Sequence, residues 1–302
     1  MTRTAWIALS VSVVLLLFGV VAAVWVVGGS GSKTEPPVKV SSPTQPFSLP
    51  LANDSSALML AKHDRDLLVG IAARPGGPVE IVALRAETPV PGDKVVVRVG
   101  GRTVHTGSCG AGCSRVDAGV MRGSSTQVAV EVGPPKVSFA LPARLPPNGE
   151  QFFAHTRRKM LALHSYRFVE RLSSGAKPFV STFEVQAPNR LRYQASGSRA
   201  VIIGRTRWDY VAGRWQRTSY AELHLPAYTW DHAGLARIVG RRPGGLTELV
   251  AFARQPVPAW FRLDVDPAGH VIRAQMIAAS HFMFHTYDSF NKPLSITPPT
   301  RK

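Results

Sequence analysis

Apolar residues follow two patterns along the chain. One is a run of 23 residues without a charged side chain, from Ala5 to Val27. The other begins near Leu58 and consists of short apolar or alternating runs separated by glycine, proline and other turn residues. The first pattern predicts a membrane-spanning helix, because about 1.5 Å of rise per residue lets it cross the roughly 30 Å hydrocarbon layer. The second predicts a folded part that is mostly β.

The N-terminal run is interpreted as an uncleaved signal anchor over residues 1–28. A cleaved secretory signal peptide is the alternative, but its apolar stretch is usually about 7–15 residues. The nearest small-residue cleavage site, at Ala22 and Ala23, also lies inside the run. Arg3 precedes the run without an acidic neighbour, which favours a cytoplasmic N-terminus. We therefore expect a single-pass protein of the cell membrane whose bulk is extracytoplasmic.

The chain beyond the anchor divides by composition. Residues 29–52 are rich in Gly, Ser and Pro and lack apolar periodicity, which is typical of a flexible linker. Residues 53–146 hold short strand candidates such as Val79–Arg85 and Val137–Leu141, separated by turns. These spacings predict an immunoglobulin-like β-sandwich.

The two cysteines lie in this predicted sandwich. Cys109 and Cys113 enclose Gly110 and Gly112, which can adopt the positive φ values that a small ring needs. In an oxidising compartment this pair favours a disulfide. A metal site is the alternative, with His105 as the nearby third donor.

Residues 147–302 open with a helical pattern and continue as strands. Phe153, Met160, Leu161 and His164 fall at helical spacings, and Asn148 is placed to cap the helix start. Strand candidates then follow one another to the C-terminus, with a short helix predicted around residues 231–239. A helix followed by a long antiparallel meander predicts an α+β second domain.

Three segments of this second domain carry a family resemblance. Residues 166–172, 183–193 and 201–210, together with the ending over 278–299, resemble the LolA/LppX class of lipoprotein carriers and lipid-binding lipoproteins. The resemblance implies a curved antiparallel sheet, or half-barrel, with packed helices. It also implies a lipid ligand.

A second resemblance covers roughly residues 60–299. The Cys-Gly-Ala-Gly-Cys segment and the Phe139–Pro142 edge, followed by the second domain, are similar to the extracytoplasmic region of actinobacterial copper-resistance proteins of the CopD/YcnJ type. The chain lacks the multi-span membrane core of those proteins. The resemblance therefore implies a copper-binding accessory, or a structural partner of a separate membrane transporter, rather than a transporter.

The last strand candidate holds the donors for such a metal site. His281, Met283 and His285 alternate with other residues, so the two-residue period of a strand sends all three side chains to one face. Imidazole and thioether ligands suit copper. The alternative is that this face is an ordinary core or cavity wall with both histidines hydrogen-bonded.

A half-barrel that is not filled by side chains would hold an acyl chain or another apolar molecule. The alternative is that its apolar residues are plain core. The candidates for lining such a cavity are aromatic or large aliphatic residues of the second domain: Phe153, Met160, Phe168, Phe183, Ile202, Trp208, Trp230, Phe252, Phe261 and Met276.

Motifs of hydrolases, phosphate-binding enzymes and dinucleotide-binding enzymes are missing from the sequence, which favours a non-catalytic role. The chain of 302 residues carries a net charge of +17, and residues 147–302 hold +12 of it. Nucleic acid is excluded by the expected compartment. The predicted partner of the basic surface is an anionic membrane or cell-wall surface, contacted by one solvated face of strand arginines: Arg190, Arg192, Arg205, Arg207, Arg214 and Arg217.

Overall fold

The computed structural model describes residues 54–85, 87–173, 178–255, 257–279 and 281–300, which belong to one compact unit, Ser48–Lys302. The predicted signal anchor (residues 1–28) and the linker (29–52) lie outside the described residues. Within the described ranges, no helix has both the length and the apolar character needed to cross a membrane. The described part is mostly β, as the pattern predicted.

Two antiparallel sheets built from residues 58–141 face each other. In the first the strand order is β1-β2-β3-β8-β7, with β4 paired to β3, and in the second it is β10-β9-β5-β6. Alternate residues of both sheets, such as Ile71 and Phe139, meet in one apolar core. The strands are β1 Leu58–Asp64, β2 Leu67–Ala73, β3 Val79–Arg85, β4 Thr88–Pro89, β5 Val96–Val99, β6 Arg102–Val104, β7 Gly107–Gly110, β8 Cys113–Val116, β9 Thr126–Glu131 and β10 Lys136–Leu141.

This two-sheet part, called the sandwich below, contains the predicted disulfide. Cys109 and Cys113 are bonded, with their Cα atoms 5.1 Å apart, and the bond joins β7 to β8. Gly110 and Gly112 both have positive φ, 132° and 67°, which supports the reason given for the turn. The disulfide prediction is confirmed.

One helix, α1 (Glu150–Leu161), follows the sandwich. The Glu150 N–H donates to Asn148 Oδ1 at 2.8 Å, so Asn148 supports the helix start as predicted. The helix ends at Leu161, which is 36% exposed, so His164 lies beyond the helix although its spacing fits one. Leu163, which follows the helix, is buried instead.

An eleven-stranded antiparallel sheet forms the rest of the chain, in the order β16-β15-β14-β13-β12-β11-β21-β20-β19-β18-β17. The helix predicted around residues 231–239 is absent, because β17 pairs with β18 through two register shifts there. The strands are β11 Ser165–Ser173, β12 Phe179–Gln186, β13 Arg190–Ala195, β14 Ser198–Ile203, β15 Thr206–Val211, β16 Arg214–Ser219, β17 Gly234–Arg242, β18 Leu246–Ala253, β19 Ala259–Val265, β20 Val271–Ala278 and β21 His281–Asp288.

The two faces of this large sheet have different neighbours. On one, the helix-side face, Tyr166 and Tyr287 contact Tyr228, whose hydroxyl donates to the Met160 carbonyl of α1 at 2.9 Å. On the other, the sandwich-side face, Phe282 stacks on His63 of β1 with ring centroids 3.9 Å apart. Since every strand alternates its side chains, the register assigns each residue to one of these faces.

Strand β2 is buried on both of its faces, because one face packs into the sandwich core and the other packs against the large sheet. Leu67, Val69 and Ile71 point into the sandwich core, and Gly70 faces the Trp260 indole of the large sheet. All seven residues of β2 are buried. A small cavity of about 10 Å³, room for about one water molecule, lies where β1 meets the sandwich-side face.

Candidate functional site

Aromatic residues of four neighbouring strands form the centre of the helix-side face. The register pairs Phe168 with Phe183 and with Tyr287, and Phe183 with Tyr193. The Phe168 and Phe183 rings are stacked with centroids 4.4 Å apart. These cross-strand pairs create a continuous aromatic surface over strands β13, β12, β11 and β21.

The residues between β16 and β17 cover part of this face. This cover segment, residues 220–233, contains neither helix nor strand. Tyr228 and Trp230 stack with centroids 4.9 Å apart, and Trp230 contacts Phe153 of α1 at 6.0 Å. Backbone hydrogen bonds, such as that from Leu225 N–H to the Pro188 carbonyl at 2.7 Å, tie the segment to the ends of the strands.

A row of polar side chains lies inside this apolar surface. Glu170 is paired in register with Ser181 on one side and with His285 on the other. The Glu170 Oε2 atom is 2.9 Å from His285 Nε2, and His285 Nδ1 is 2.9 Å from the Tyr287 hydroxyl. A carboxylate only accepts hydrogen bonds, so His285 carries its proton on Nε2 and donates to Glu170. His285 Nδ1 then accepts from the Tyr287 hydroxyl. Both Glu170 and His285 are buried.

Two further hydroxyls in this region lack well-formed hydrogen bonds. Ser181 and Tyr193 are 1% and 2% exposed, and their hydroxyls find no partner of good geometry among the residues that the structure describes. The two hydroxyls lie close enough to interact with each other, although not at good hydrogen-bond geometry. Burial raises the pKa of Tyr193 and raises the pKa of Tyr287 well above its ordinary value. Both phenols are therefore protonated at neutral pH and available as donors.

An ion pair borders this polar region on β15. Arg207 donates two hydrogen bonds to Asp209 Oδ1 and one to Oδ2, at 2.7–2.9 Å. Both residues are on the helix-side face, because Arg207 pairs with Ile202 and Asp209 with Ala200. The guanidinium is thus neutralised by its own strand.

The structure divides the ten predicted lining residues between the two faces. Eight lie on the helix side: Phe168, Phe183, Ile202, Phe261 and Met276 in the sheet, with Phe153, Met160 and Trp230 packed over it. The other two, Trp208 and Phe252, have the opposite orientation, since Trp208 pairs with Val201 and Phe252 with Trp260.

Sequence reasoning missed the polar row. Glu170, Ser181 and Tyr193 were not among its candidates, although Glu170 alternates with Phe168 in β11 and so had to share its face. That alternation was the available signal. Nothing in the sequence showed that Ser181 and His285 would flank Glu170.

The predicted copper donors lie on a single face of β21, as strand alternation requires. His285 is fully engaged, however, because Glu170 and Tyr287 hold its two ring nitrogens. The described residues contain no group of three or more His, Cys, Asp or Glu side chains that could hold a metal ion. A site at His281, Met283 and His285 would require Glu170 or Tyr287 to move, and copper stays a prediction.

No protein family and no curated protein matches the chain. Among solved structures, LprF from Mycobacterium bovis is similar at 13% identity, with 51% of this chain and 99% of that chain covered and a TM-score of 0.38. The lipoprotein LppX from Mycobacterium tuberculosis is similar at 14% identity, with 49% and 98% covered and a TM-score of 0.37. These likenesses concern the fold over about half of the chain. The function is argued below from the chain's own residues.

Proposed function

We propose that the chain is a non-catalytic binding protein of the cell envelope that holds an apolar, lipid-like ligand against the helix-side face. The observation that carries the proposal is the aromatic surface of Phe168, Phe183, Tyr193 and Tyr287. It lies beneath a cover segment without regular structure. A concave apolar surface with a few polar groups is the usual make-up of a small-molecule site.

The dimensions of the sheet support this proposal. Eleven strands spaced about 4.8 Å apart make a face roughly 48 Å wide. Helix α1 has 12 residues and is therefore only about 18 Å long and about 10 Å wide. The helix alone cannot cover the face, and the cover segment is hydrogen-bonded to Pro188, Gly204 and Arg205 in the turns beyond it. An acyl chain would enter between that segment and the sheet.

A binding role is favoured over catalysis by the chemistry of the polar row. Tyr287 is held protonated by its burial, and His285 is held between two partners, so neither offers a free nucleophile or base. The proposed membrane anchor would keep such a protein at the cell surface. A copper-binding accessory and a partner of a membrane transporter stay as the alternatives.

The test is a substitution whose larger side chain fills the proposed ligand-binding site. Ala200 is buried beside Tyr193 on the helix-side face, and Ala200→Leu would occupy the volume that an acyl chain needs. We expect full-length protein from its native membrane to carry a copurified apolar molecule in native mass spectrometry, and Ala200→Leu to lose it with little change in unfolding free energy. The matched control is Ala140→Leu, at an exposed position of β10.

Two results would contradict the proposal. One is the absence of any copurified or added acyl compound from the wild-type protein. The other is a destabilisation of about 1–3 kcal/mol by Ala200→Leu with unchanged ligand content, which is the behaviour of an already filled core.

We also propose that the outer end of strands β14–β16 contacts an anionic membrane or wall surface. Arg199 lies over the Tyr210 ring at 4.2 Å, and Tyr210 contacts Trp215 at 5.2 Å. Arg217 is exposed on the same face of the edge strand β16, and Arg214 is exposed on the other face of that strand. Aromatic and basic side chains together are typical of surfaces that lie at a lipid headgroup layer.

A further inference from the structure

We infer that the ligand carries an uncharged hydroxyl group, and that Ser181, Tyr193 and Glu170 bind it. This inference rests on the proposed function and specifies the chemistry of its ligand. It starts from the polar row on the helix-side face. All of its members are buried, although polar side chains are usually in contact with solvent.

The donors for this hydroxyl are Ser181 and Tyr193. Both are more than nine-tenths buried, and among the described residues each hydroxyl has only the other as a partner, at poor hydrogen-bond geometry. A buried polar group without a partner is costly, so native structures satisfy such groups with protein, water or ligand. Two neighbouring hydroxyls in an aromatic surface therefore provide a site for an oxygen of the ligand.

The acceptor is Glu170. Its Oε2 atom is hydrogen-bonded to His285 Nε2, but a carboxylate has about four acceptor positions and one bond leaves the others open. Ser181 is its register partner on β12 and Glu170 acts electrostatically on Tyr193, so the carboxylate and the two hydroxyls lie close together on one face. A ligand hydroxyl fits this arrangement, since it donates to Glu170 and accepts from Ser181 or Tyr193.

The charges around the row disfavour an anionic group. The carboxylate of Glu170 would repel a phosphate or a fatty-acid carboxylate at short range. The nearest described guanidinium on this face, Arg207, is already neutralised by Asp209. An ester without a hydroxyl would donate nothing to the acceptor positions of Glu170 that His285 leaves open. The favoured ligand is therefore a neutral lipid with a free hydroxyl, from glycerol or from a sugar.

The experiment measures binding of four defined probes to the full-length chain by native mass spectrometry and tryptophan fluorescence. The hydroxyl-bearing probes are 1-monopalmitoylglycerol and hexadecyl glucoside, and their comparison separates a glycerol from a sugar source. Palmitate tests the anionic group, and methyl palmitate tests the chain without a hydroxyl. We expect the better hydroxyl probe to bind at least about five-fold more tightly than palmitate and methyl palmitate, the value of one hydrogen bond.

Two isosteric variants test the residues. Ser181→Ala and Tyr193→Phe should each weaken binding of the hydroxyl-bearing probe about five-fold and leave binding of methyl palmitate unchanged. Because the removed hydroxyls lack good partners in the free protein, both variants should be as stable as wild type or more so. The control is Ser219→Ala, which removes the same group as Ser181→Ala from an exposed strand end.

The outcomes separate this inference from the proposed function. If acyl probes bind without preference for a hydroxyl, or if Ser181→Ala and Tyr193→Phe leave the preference intact, the inference is wrong and the apolar site stands. If palmitate binds most tightly, the anionic exclusion by Glu170 is wrong. If none of the four probes binds, the proposed function itself fails.

Discussion

At the scale of single residues, His63 is the clearest pH-sensitive contact between the sandwich and the large sheet. Its ring lies parallel to that of Phe282, with an interplanar angle of 6°. Burial against this surface lowers the pKa of His63 below its ordinary value of 6.5. The neutral ring is therefore the form that the folded protein favours.

The lowered pKa of His63 makes the free energy of unfolding depend on pH. An unfolded chain takes up a proton at His63 near pH 6.5, whereas the folded protein does so only at lower pH, so the contribution is present above about 6.5 and is lost as pH falls below it. His63 is an exposed residue, so solvent screens the contribution and we expect at most about 0.5 kcal/mol. Urea unfolding at pH 8 and pH 5 should show this loss in wild type and not in His63→Gln.

The control for this titration is His105→Gln, since His105 is an exposed histidine of the sandwich. It should retain the wild-type difference between pH 8 and pH 5. Equal pH dependence in wild type and His63→Gln would show that the His63 contact contributes nothing to it.

At the scale of elements, strand β2 depends on a glycine. A Cβ atom added to Gly70 would overlap the Trp260 indole of β19. Overpacking of this kind costs typically about 1–3 kcal/mol, and we expect Gly70→Ala to destabilise the protein by that amount in urea unfolding. Gly234→Ala is the matched control, because a Cβ there has no neighbour within 4 Å. It should change stability by less than about 0.5 kcal/mol.

A double-mutant cycle tests that Trp260 is the cause. Trp260→Leu removes the indole that blocks the added methyl group, so Gly70→Ala should cost at least about 1 kcal/mol less in the Trp260→Leu background than in wild type. Additive effects of the two substitutions would mean that β2 and β19 do not pack as described.

The element scale also shows where pattern reasoning succeeded. Sequence patterning predicts strands at Leu246–Ala253 and Ala259–Val265, and these are β18 and β19, because short apolar runs bounded by turn residues are typical of strands. The alternation over residues 270–287 predicts one strand, but the stretch contains two, β20 and β21. The segment at 231–239 was misassigned because bulges interrupt the alternation of β17.

At the scale of the whole molecule, the basic surplus is not one solvated face. Arg190 and Arg192 donate to the carbonyls of Ile296 and Ser295 at 2.8 Å, so they hold the C-terminal segment against β13. Arg207 is on the opposite face with Asp209. The prediction of one solvated face of arginines was therefore wrong. Alternation along a strand shows which of its side chains share a face, but it does not show which backbone segment will cover them.

The exposed arginines of β14 and β16 supply the remaining prediction. We expect the full-length protein to bind vesicles containing phosphatidylglycerol more strongly than neutral vesicles, and added salt to weaken this binding. Changing Arg199, Arg214 and Arg217 together to Gln should reduce the binding at least several-fold. Changing Arg102, Arg115 and Arg144 to Gln removes the same charge from the sandwich and should have a smaller effect. Equal loss in both triple variants would show that only the net charge matters.

The sequence by itself determined the strand-rich character, the helix near Glu150, the disulfide and the face on which each β21 donor lies. These follow from local physics: side-chain periodicity, capping and the short reach of a five-residue ring. Only the tertiary structure decided that His285 meets Glu170, 115 residues earlier in the chain, and that Ser181 flanks the same carboxylate. Pairing between distant strands depends on register and sheet order, which alternation within one strand does not encode. The site therefore became visible only when β11, β12 and β21 were placed side by side.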